Sequence, residues 1–458
     1  MSRHASARRK LATKYPRYAK YRDSGVAWLG EVPAHWEVKR LRFLAATNPL
    51  ASKLKDIAAD DLVSFVPMDA VGEYGGLRLD VEREFADVGG GYTYFADGDV
   101  VLAKITPFFE NGKGAIAGGL TNGIAFGTTE LHVMRASEEL DRRFLFYLTI
   151  AYPFRKIGES EMYGAGGQKR VPEDFIKDFR TPLPPIDEQR AIAAFLDHQT
   201  TRIDAHIATK RRFLALLKEK RASLVNHVVT RGLAPDVRLK NSGVAWVDSI
   251  PSHWAVRPLK RVADVRTGVA KGRKIEHEDS IVVPYLRVAN VQDGYLVLDD
   301  IAEIEIGVDE LHRYALHPGD VLMNEGGDSD KLGRGHVWQG EVSPCIHQNH
   351  VFAVRPQTVH PDWLALVTGS DSAKHYFYCF AKQSTNLASI SSTNLKNLPV
   401  ILPPADEQIA ILDYVARIAS NLQGLQARSE SVIQRLVERR ASLVAAAVTG
   451  KIDTGITA

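Results

Sequence analysis

Cysteine is nearly missing from this 458-residue sequence: only Cys345 and Cys379 are present. Two thiols without a paired spacing exclude a disulfide-stapled scaffold and fit a reducing compartment. Long apolar runs are missing too. Nothing approaches the roughly 18 residues that a membrane span needs, and the opening string MSRHASARRK lacks the apolar core of a secretory signal. The expectation is a cytoplasmic protein without a membrane partner. A large charge of one sign is also lacking, since 58 Lys and Arg against 55 Asp and Glu leave +3; this alone says little about nucleic acid. The local exception is the start, where Arg3, Arg8, Arg9, Lys10, Lys14, Arg17, Lys20 and Arg22 form a basic arm. Such an arm is either a solvated tail or a segment that touches phosphates or a partner.

With 45% hydrophobic and 25% charged residues, the composition is that of a globular protein. The length exceeds the ~250 residues at which single cores stop growing, so several domains are expected.

The chain is one unit written twice. Residues 24–41, SGVAWLGEVPAHWEVKRL, recur at 242–259 as SGVAWVDSIPSHWAVRPL, with Trp28 and Trp36 in register with Trp246 and Trp254. LPPIDEQ at 183–189 recurs as LPPADEQ at 402–408, and KRASLV at 220–225 as RRASLV at 439–444, followed by Thr230 and Thr449. These anchors lie about 219 residues apart. Between them only a skeleton is shared: GDVVLAK at 98–104 answers GDVLMNE at 319–325, and TELHVMR at 129–135 answers NHVFAVR at 349–355. Short β-branched runs such as Val100, Val101 and Leu102, or Leu131 and Val133, read as strands. The Gly-rich strings VGGGY at 88–92 and AGGL at 117–120 read as turns.

Two stretches carry a helical seam. Ile411, Val415, Ile418, Leu422, Leu425, Val432, Leu436 and Leu443 follow steps of three and four, with Ser429 and Arg439 in the gaps. Ile192, Leu196, Ile203, Phe213, Leu217 and Leu224 keep that register, with Gln199, His206, Lys210 and Lys220 at the remaining seam positions. Each helix should run about 40 residues, roughly 60 Å, with Asp187 or Asp406 capping it and Glu188 or Glu407 favouring its positive end. The polar seam residues either set register or face a partner. The expected fold is α+β: two α/β blocks related by pseudo-two-fold symmetry and separated by two long antiparallel coiled-coil helices. The expected boundaries are an arm at 1–23, a first block at 24–184, a helix at 185–231, a second block at 232–402, a helix at 403–450 and a tail at 451–458.

A repeated scaffold with different inserts implies two ligands bound in equivalent positions. An asymmetric two-part DNA site fits. The inserts hold the side chains that read base edges: Lys or Arg for guanine, Asn or Gln for adenine, Glu or Asp for cytosine. The candidates in the first block are Lys104, Thr106, Glu110, Asn111, Lys113, Thr128, Thr129, Gln168, Lys169 and Arg170. In the second they are Asn324, Glu325, Asp328, Asp330, Lys331, Arg334, Gln348, Asn349, His350, Gln383, Ser384 and Thr385. Polar loops are also often merely solvated.

The strings SGVAWLGEVPAHWEV and VTRGLAPDVRLKNSGVAWVDSIPSHW, the two LPPxDEQ helix starts and the RASLV ends resemble the specificity subunits of type I restriction–modification enzymes from about residue 20 to 450. The resemblance implies a subunit without an active site that reads two short half-sites across a non-specific gap. It also implies double-stranded DNA, two methyltransferase subunits and restriction subunits as partners. S-adenosylmethionine, ATP and Mg²⁺ would belong to those partners, and no cofactor to this chain.

The rivals are a self-contained nuclease or methyltransferase with duplicated recognition domains, and a coiled-coil scaffold that binds only proteins. For the enzyme, Asn48-Pro49-Leu50 is the nearest string to an adenine methyltransferase motif and fails it. No GxxxxGK[ST] phosphate loop occurs. Asp328 and Asp330 beside Lys331 lack an upstream acidic partner for Mg²⁺. Cys345, His347 and His350 alternate faces on a strand-like segment without a fourth ligand.

Overall fold

The computed structural model describes residues 15–50, 57–165, 167–272, 279–327, 332–383 and 388–455. Arg3, Arg8, Arg9, Lys10 and Lys14 of the basic arm lie outside them. Of the rest of the arm, Arg17 sits over the Tyr21 ring at 4.5 Å and Arg22 donates to the Trp36 carbonyl at 2.5 Å. The chain forms two compact units, Met1–Arg211 with Glu430–Ala458, and Arg212–Ser429.

In the first unit one sheet runs Ala45–Thr47, Leu131–Ala136, Val100–Ala103, Gly114–Ile116, all antiparallel. A second runs Glu82–Glu84, Leu62–Val66, Ile124–Gly127, Thr93–Ala96, with Leu62–Val66 and Ile124–Gly127 parallel. The second unit repeats the plan. Ala263–Thr267, Val351–Pro356, Val321–Asn324 and Gly335–Val337 form its antiparallel sheet. Ala302–Gly307, Ser280–Leu286 and Ile346–His347 form the other, again with one parallel pair.

The shared skeleton has a physical cause. The strands expected from GDVVLAK and TELHVMR are neighbours, and an ion pair closes them at one end. Asp99, 1% exposed, takes two hydrogen bonds of 2.7 Å from Arg135 and one of 2.8 Å from the Ala96 amide. Asp320 does the same with Arg355, at 2.7 Å twice, and with the His317 amide at 2.8 Å. A buried carboxylate needs this complete a set of donors.

The LPPxDEQ strings mark where the last strand of each block turns into a long helix. Arg180–Leu183 pairs with Glu37–Arg40, and Pro399–Leu402 with Ala255–Pro258. The helices then run Ile186–Arg231, 46 residues, and Ala405–Val448, 44 residues. The Gln189 amide donates to the Pro185 carbonyl and the Gln408 amide to Pro404. The second proline of each string therefore occupies the cap position. Asp187 and Asp406, expected to cap, lie inside the first turn instead, where their charge still suits the helix dipole.

The next two residues tie the helix to its block. Glu188 accepts from Trp36 Nε1 at 3.0 Å and pairs with His35 Nε2 at 2.8 Å; Glu407 accepts from Trp254 Nε1 at 2.9 Å and pairs with His253 Nε2 at 2.6 Å. The Gln189 side chain accepts from the Asp141 amide and donates to the carbonyls of Pro184 and Glu139. Gln408 bonds the His360 amide and the Pro403 carbonyl in the same way. At the far ends, Gly232 and Gly450 take φ of 74° and 69°. A Cβ at either would meet the Trp254 ring at 3.0 Å or, at Gly450, Pro33 at 2.4 Å and the Trp36 ring at 2.9 Å. Glycine is required there for both reasons. Trp36 and Trp254 of the repeat are thus the seats on which helices begin and end.

Within the first unit Ile192, Ala193, Leu196, Ile203 and Ile207 share a core with Leu443, Val444, Ala447 and Val448. Within the second, Val228 and Val229 share one with Ile411, with Leu224, Leu412 and Val415 packed against it. Each unit joins the start of one helix to the end of the other, so the pairing is antiparallel. Near these ends buried residues fall on the expected seam positions, and elsewhere they fall beside them. Ile207 is buried where His206 was expected, and Thr200 is buried beside a half-exposed Gln199. Leu217, Ile418 and Leu422 are half-buried, while Leu425 is 41% exposed. Past Ser429 the packed positions move one residue on: Ile433 replaces Val432 and Arg440 replaces Arg439, with Leu436 and Leu443 kept. An α-helix drifts by about 20° per heptad against a strict seven-residue repeat, so an unchanging register cannot hold along roughly six heptads.

Candidate nucleic-acid interface

In the first unit three expected segments meet at one end of the antiparallel sheet. The Lys104 amide donates to the Glu130 carbonyl at 2.9 Å, and the Val171 amide to the Lys104 carbonyl at 2.8 Å. The Thr106 amide reaches the Lys169 carbonyl at 2.9 Å, while Thr106 Oγ1 donates to Gly167 O at 2.9 Å and accepts from the Lys169 amide at 3.0 Å. Gln168 and Lys169 sit exposed at the tip of this hairpin, with Thr129 and Asn111 exposed nearby in sequence to its partners. Arg170 lies flat against Glu130 through bonds of 2.9 and 2.8 Å. That guanidinium holds the Glu130 carboxyl below its usual range. Thr128 Oγ1 accepts from the Glu130 amide at 3.3 Å.

The second unit brings the matching segments together. The Glu325 amide donates to the His350 carbonyl and the Ile390 amide to the Glu325 carbonyl, each at 2.9 Å. Gly326 and Lys382 both pair with Ser389, as Ile105 and Tyr163 both pair with Arg170 in the first unit. Backbone bonds therefore equate Lys104 with Glu325 and Glu130 with His350. The scaffold is the same and the side chains differ, with an acid where the first unit has Lys104 and a histidine where it has Glu130: in the second unit Glu325 Oε2 pairs with His350 Nδ1 at 2.7 Å. Arg334 donates to Gln292 Oε1 at 3.2 Å, and the amides of Gln348 and Asn349 are bound to the carbonyls of Leu286 and Val269.

Some candidates are used by the scaffold. Asn324 is 1% exposed and gives its amide to the Val291 carbonyl at 2.9 Å, so its side chain cannot face a ligand. Lys113 donates to the Met68 carbonyl at 2.9 Å and lies over the Phe108 ring. Glu110 turns Oε2 inward, where it has no hydrogen-bond partner among the described residues. Asp328, Asp330, Lys331, Ser384 and Thr385 lie outside the described residues, and Gln383 is described only as backbone of the strand Lys382–Gln383.

Among the described residues no group of three His, Cys, Asp or Glu could hold a metal ion. Cys345 and His347 are buried; burial pushes the thiol up to about 12 and the imidazole down, and His347 Nδ1 donates to the Val351 carbonyl at 2.6 Å. His132 is likewise buried, pushed down by burial, and bound to the Val171 carbonyl. Among the described residues no helix is long and apolar enough to cross a membrane.

The Glu130–Arg170 pair escaped sequence reasoning because its members are forty residues apart. The repeat offset carried the signal, since it sets Lys104 opposite Glu325 and Glu130 opposite His350. The exposed aromatic Tyr163, 67% accessible beside Gln168 and Lys169, also escaped.

Comparison with known proteins gives one family. Residues 87–212 and 251–434, more than half the chain, match the type I restriction modification DNA specificity domain. The specificity subunit of the type I restriction enzyme EcoAI of Escherichia coli is 43% identical over 165 residues, 35% of this chain and 27% of that protein. That of EcoEI of Escherichia coli is 39% identical over 203 residues, 41% of this chain and 34% of that protein. The chain thus spans about a third or less of these two relatives. The MjaVIII specificity subunit of Methanocaldococcus jannaschii is 22% identical over 92% of this chain and 94% of its own length. A chain solved in work on complex assembly and conformational transition of the type I R-M system shares the fold, with a TM-score of 0.68 at 19% identity over 91% of this chain and 98% of that one.

Proposed function

The chain belongs to the family of type I restriction–modification DNA specificity domains, and from this premise we propose that it is a non-catalytic subunit that reads an asymmetric two-part DNA site. The observation that carries the reading is the exchanged pair. One backbone arrangement presents Lys104, Glu130 and Arg170 in the first unit and Glu325 and His350 in the second. Donors and acceptors swap places at equivalent points, so the two units favour different base edges. Exposed Gln168 and Lys169 add phosphate or base donors at the hairpin tip.

The chemistry falls to partners in the cytoplasm. Two methyltransferase subunits, using S-adenosylmethionine, would dock on the helix pair and methylate adenine, and restriction subunits with ATP and Mg²⁺ would join them. The test is duplex binding by the chain assembled with its methyltransferase partner, with each half-site altered in turn. Alteration of either half should weaken binding independently, and equal binding to unrelated duplexes would refute the reading. Methylation or cleavage by the purified chain alone would overturn its non-catalytic part.

A further inference from the structure

We infer that Arg440, near the C-terminal end of the second long helix, is a positioning residue for the first unit's reading loop, acting through Tyr74. The inference rests on the proposal that the segment 104–113 touches DNA. Arg440 is 8% exposed. Its Nε lies 3.1 Å from Asp204 Oδ1 on the other long helix, its Nη2 donates to the Tyr74 carbonyl at 3.3 Å, and its guanidinium covers the Tyr74 ring at 4.4 Å. An arginine used this way is held by an ion pair, a hydrogen bond and a ring face at once.

Tyr74 passes the constraint to the loop. Its amide donates to the Gly112 carbonyl at 3.0 Å, and its neighbour Glu73 bridges to Lys113. The ring is so close to Gly112 that a Cβ there would meet it at 2.9 Å. Behind the loop, Arg155 donates to the Phe109 carbonyl at 2.7 Å. The loop is therefore clamped between a helix of its own block and the long helix.

The backbone of Tyr74 is an independent sign. Its φ is 61°, in the left-handed region that a bulky residue enters only at a cost. The second unit closes the corresponding turn with one residue fewer, and there Gly294, φ 81°, donates at 3.0 Å to Gly335, the counterpart of Gly114. Val71 bridges to Leu77 around the first loop, and Val291 to Leu296 around the second. The second unit makes its left-handed residue a glycine, whereas the longer turn of the first unit keeps a strained tyrosine that Arg440 covers. Among the described residues the second unit shows no counterpart, since Arg221, one repeat before Arg440, is exposed and Tyr295 is 57% exposed. The long helices thus bear directly on one reading loop.

The experiment uses the full chain assembled with its methyltransferase partner, and duplexes altered in one half-site or the other. R440M and Y74G should each reduce discrimination at the first unit's half-site by about tenfold, and R440K by less, with the second half-site read as before. Y74G relieves the backbone strain, so it decides the matter if R440M does not fold. If both variants change only thermal stability while K104M/N111A alters the first half-site, the positioning role is wrong and the DNA-reading role of the loop survives. If K104M/N111A also leaves the first half-site unchanged, the reading beneath the inference fails with it.

Discussion

Glu130→Gln is the sharpest probe of the exchange at positions 130 and 350, because it removes one charge and keeps the shape. Arg170 holds Glu130 by two bonds of 2.8 and 2.9 Å, with side chains 41% and 24% exposed. At that exposure solvent screens the pair, and its loss should lower the melting temperature of a unit of this size by no more than about 2–4 °C. The unit stays folded. What changes is the charge offered to DNA, since Arg170 is no longer neutralised. One additional phosphate contact should steepen the dependence of log K on log salt by about 0.9. Discrimination at the first half-site should fall by about tenfold, the worth of one good polar contact to a base. The assay is anisotropy of labelled duplexes bound by the assembled complex across a salt series. An unchanged salt slope together with unchanged discrimination at both halves would refute the placement of this pair against DNA.

The remaining predictions concern the scaffold. D99N and D320N each leave an arginine with one half of a nearly buried pair, and should cost about 2–4 kcal/mol in the unit concerned, seen as faster amide exchange there. His132 is buried and its pKa is pushed down by desolvation; the unfolded chain takes up a proton that the fold refuses, so stability falls as pH drops below about 6.5. H132F, which installs the residue found at position 352 of the second unit, should flatten that loss in denaturation between pH about 5 and 6.5. Inserting one heptad in the middle of both long helices adds roughly 10 Å and should lengthen the gap between half-sites; an unchanged gap would mean that the helices do not set it.

The repeat made much of this legible. LPPxDEQ and the pair Trp36 and Trp254 recur because Glu188, Gln189, Trp36 and their counterparts form the same joint twice. GD and the distant Arg recur because each pair closes a sheet. The seam was legible only near the helix ends, where blocks pack on it; farther along, the mismatch between 3.5 and 3.6 residues per turn moved Ile433 and Arg440 into positions expected for Val432 and Arg439. The cap was misassigned because Asp is a good capping residue in general, whereas the proline ahead of Ile186 already fixes the turn. Asn324 has the chemistry of a base reader and the burial of a core residue, a distinction that needs coordinates.

The central claim is that two units on one scaffold read two different half-sites. Its most direct test is sequencing of methylated adenines in cells that carry this chain and its partner subunits, before and after residues 98–171 are exchanged for the block of a relative. The account predicts a non-palindromic two-part site, of which one half changes while the other half and the gap stay as they were. A palindromic site in the parent, or a change in both halves on exchange, would contradict it.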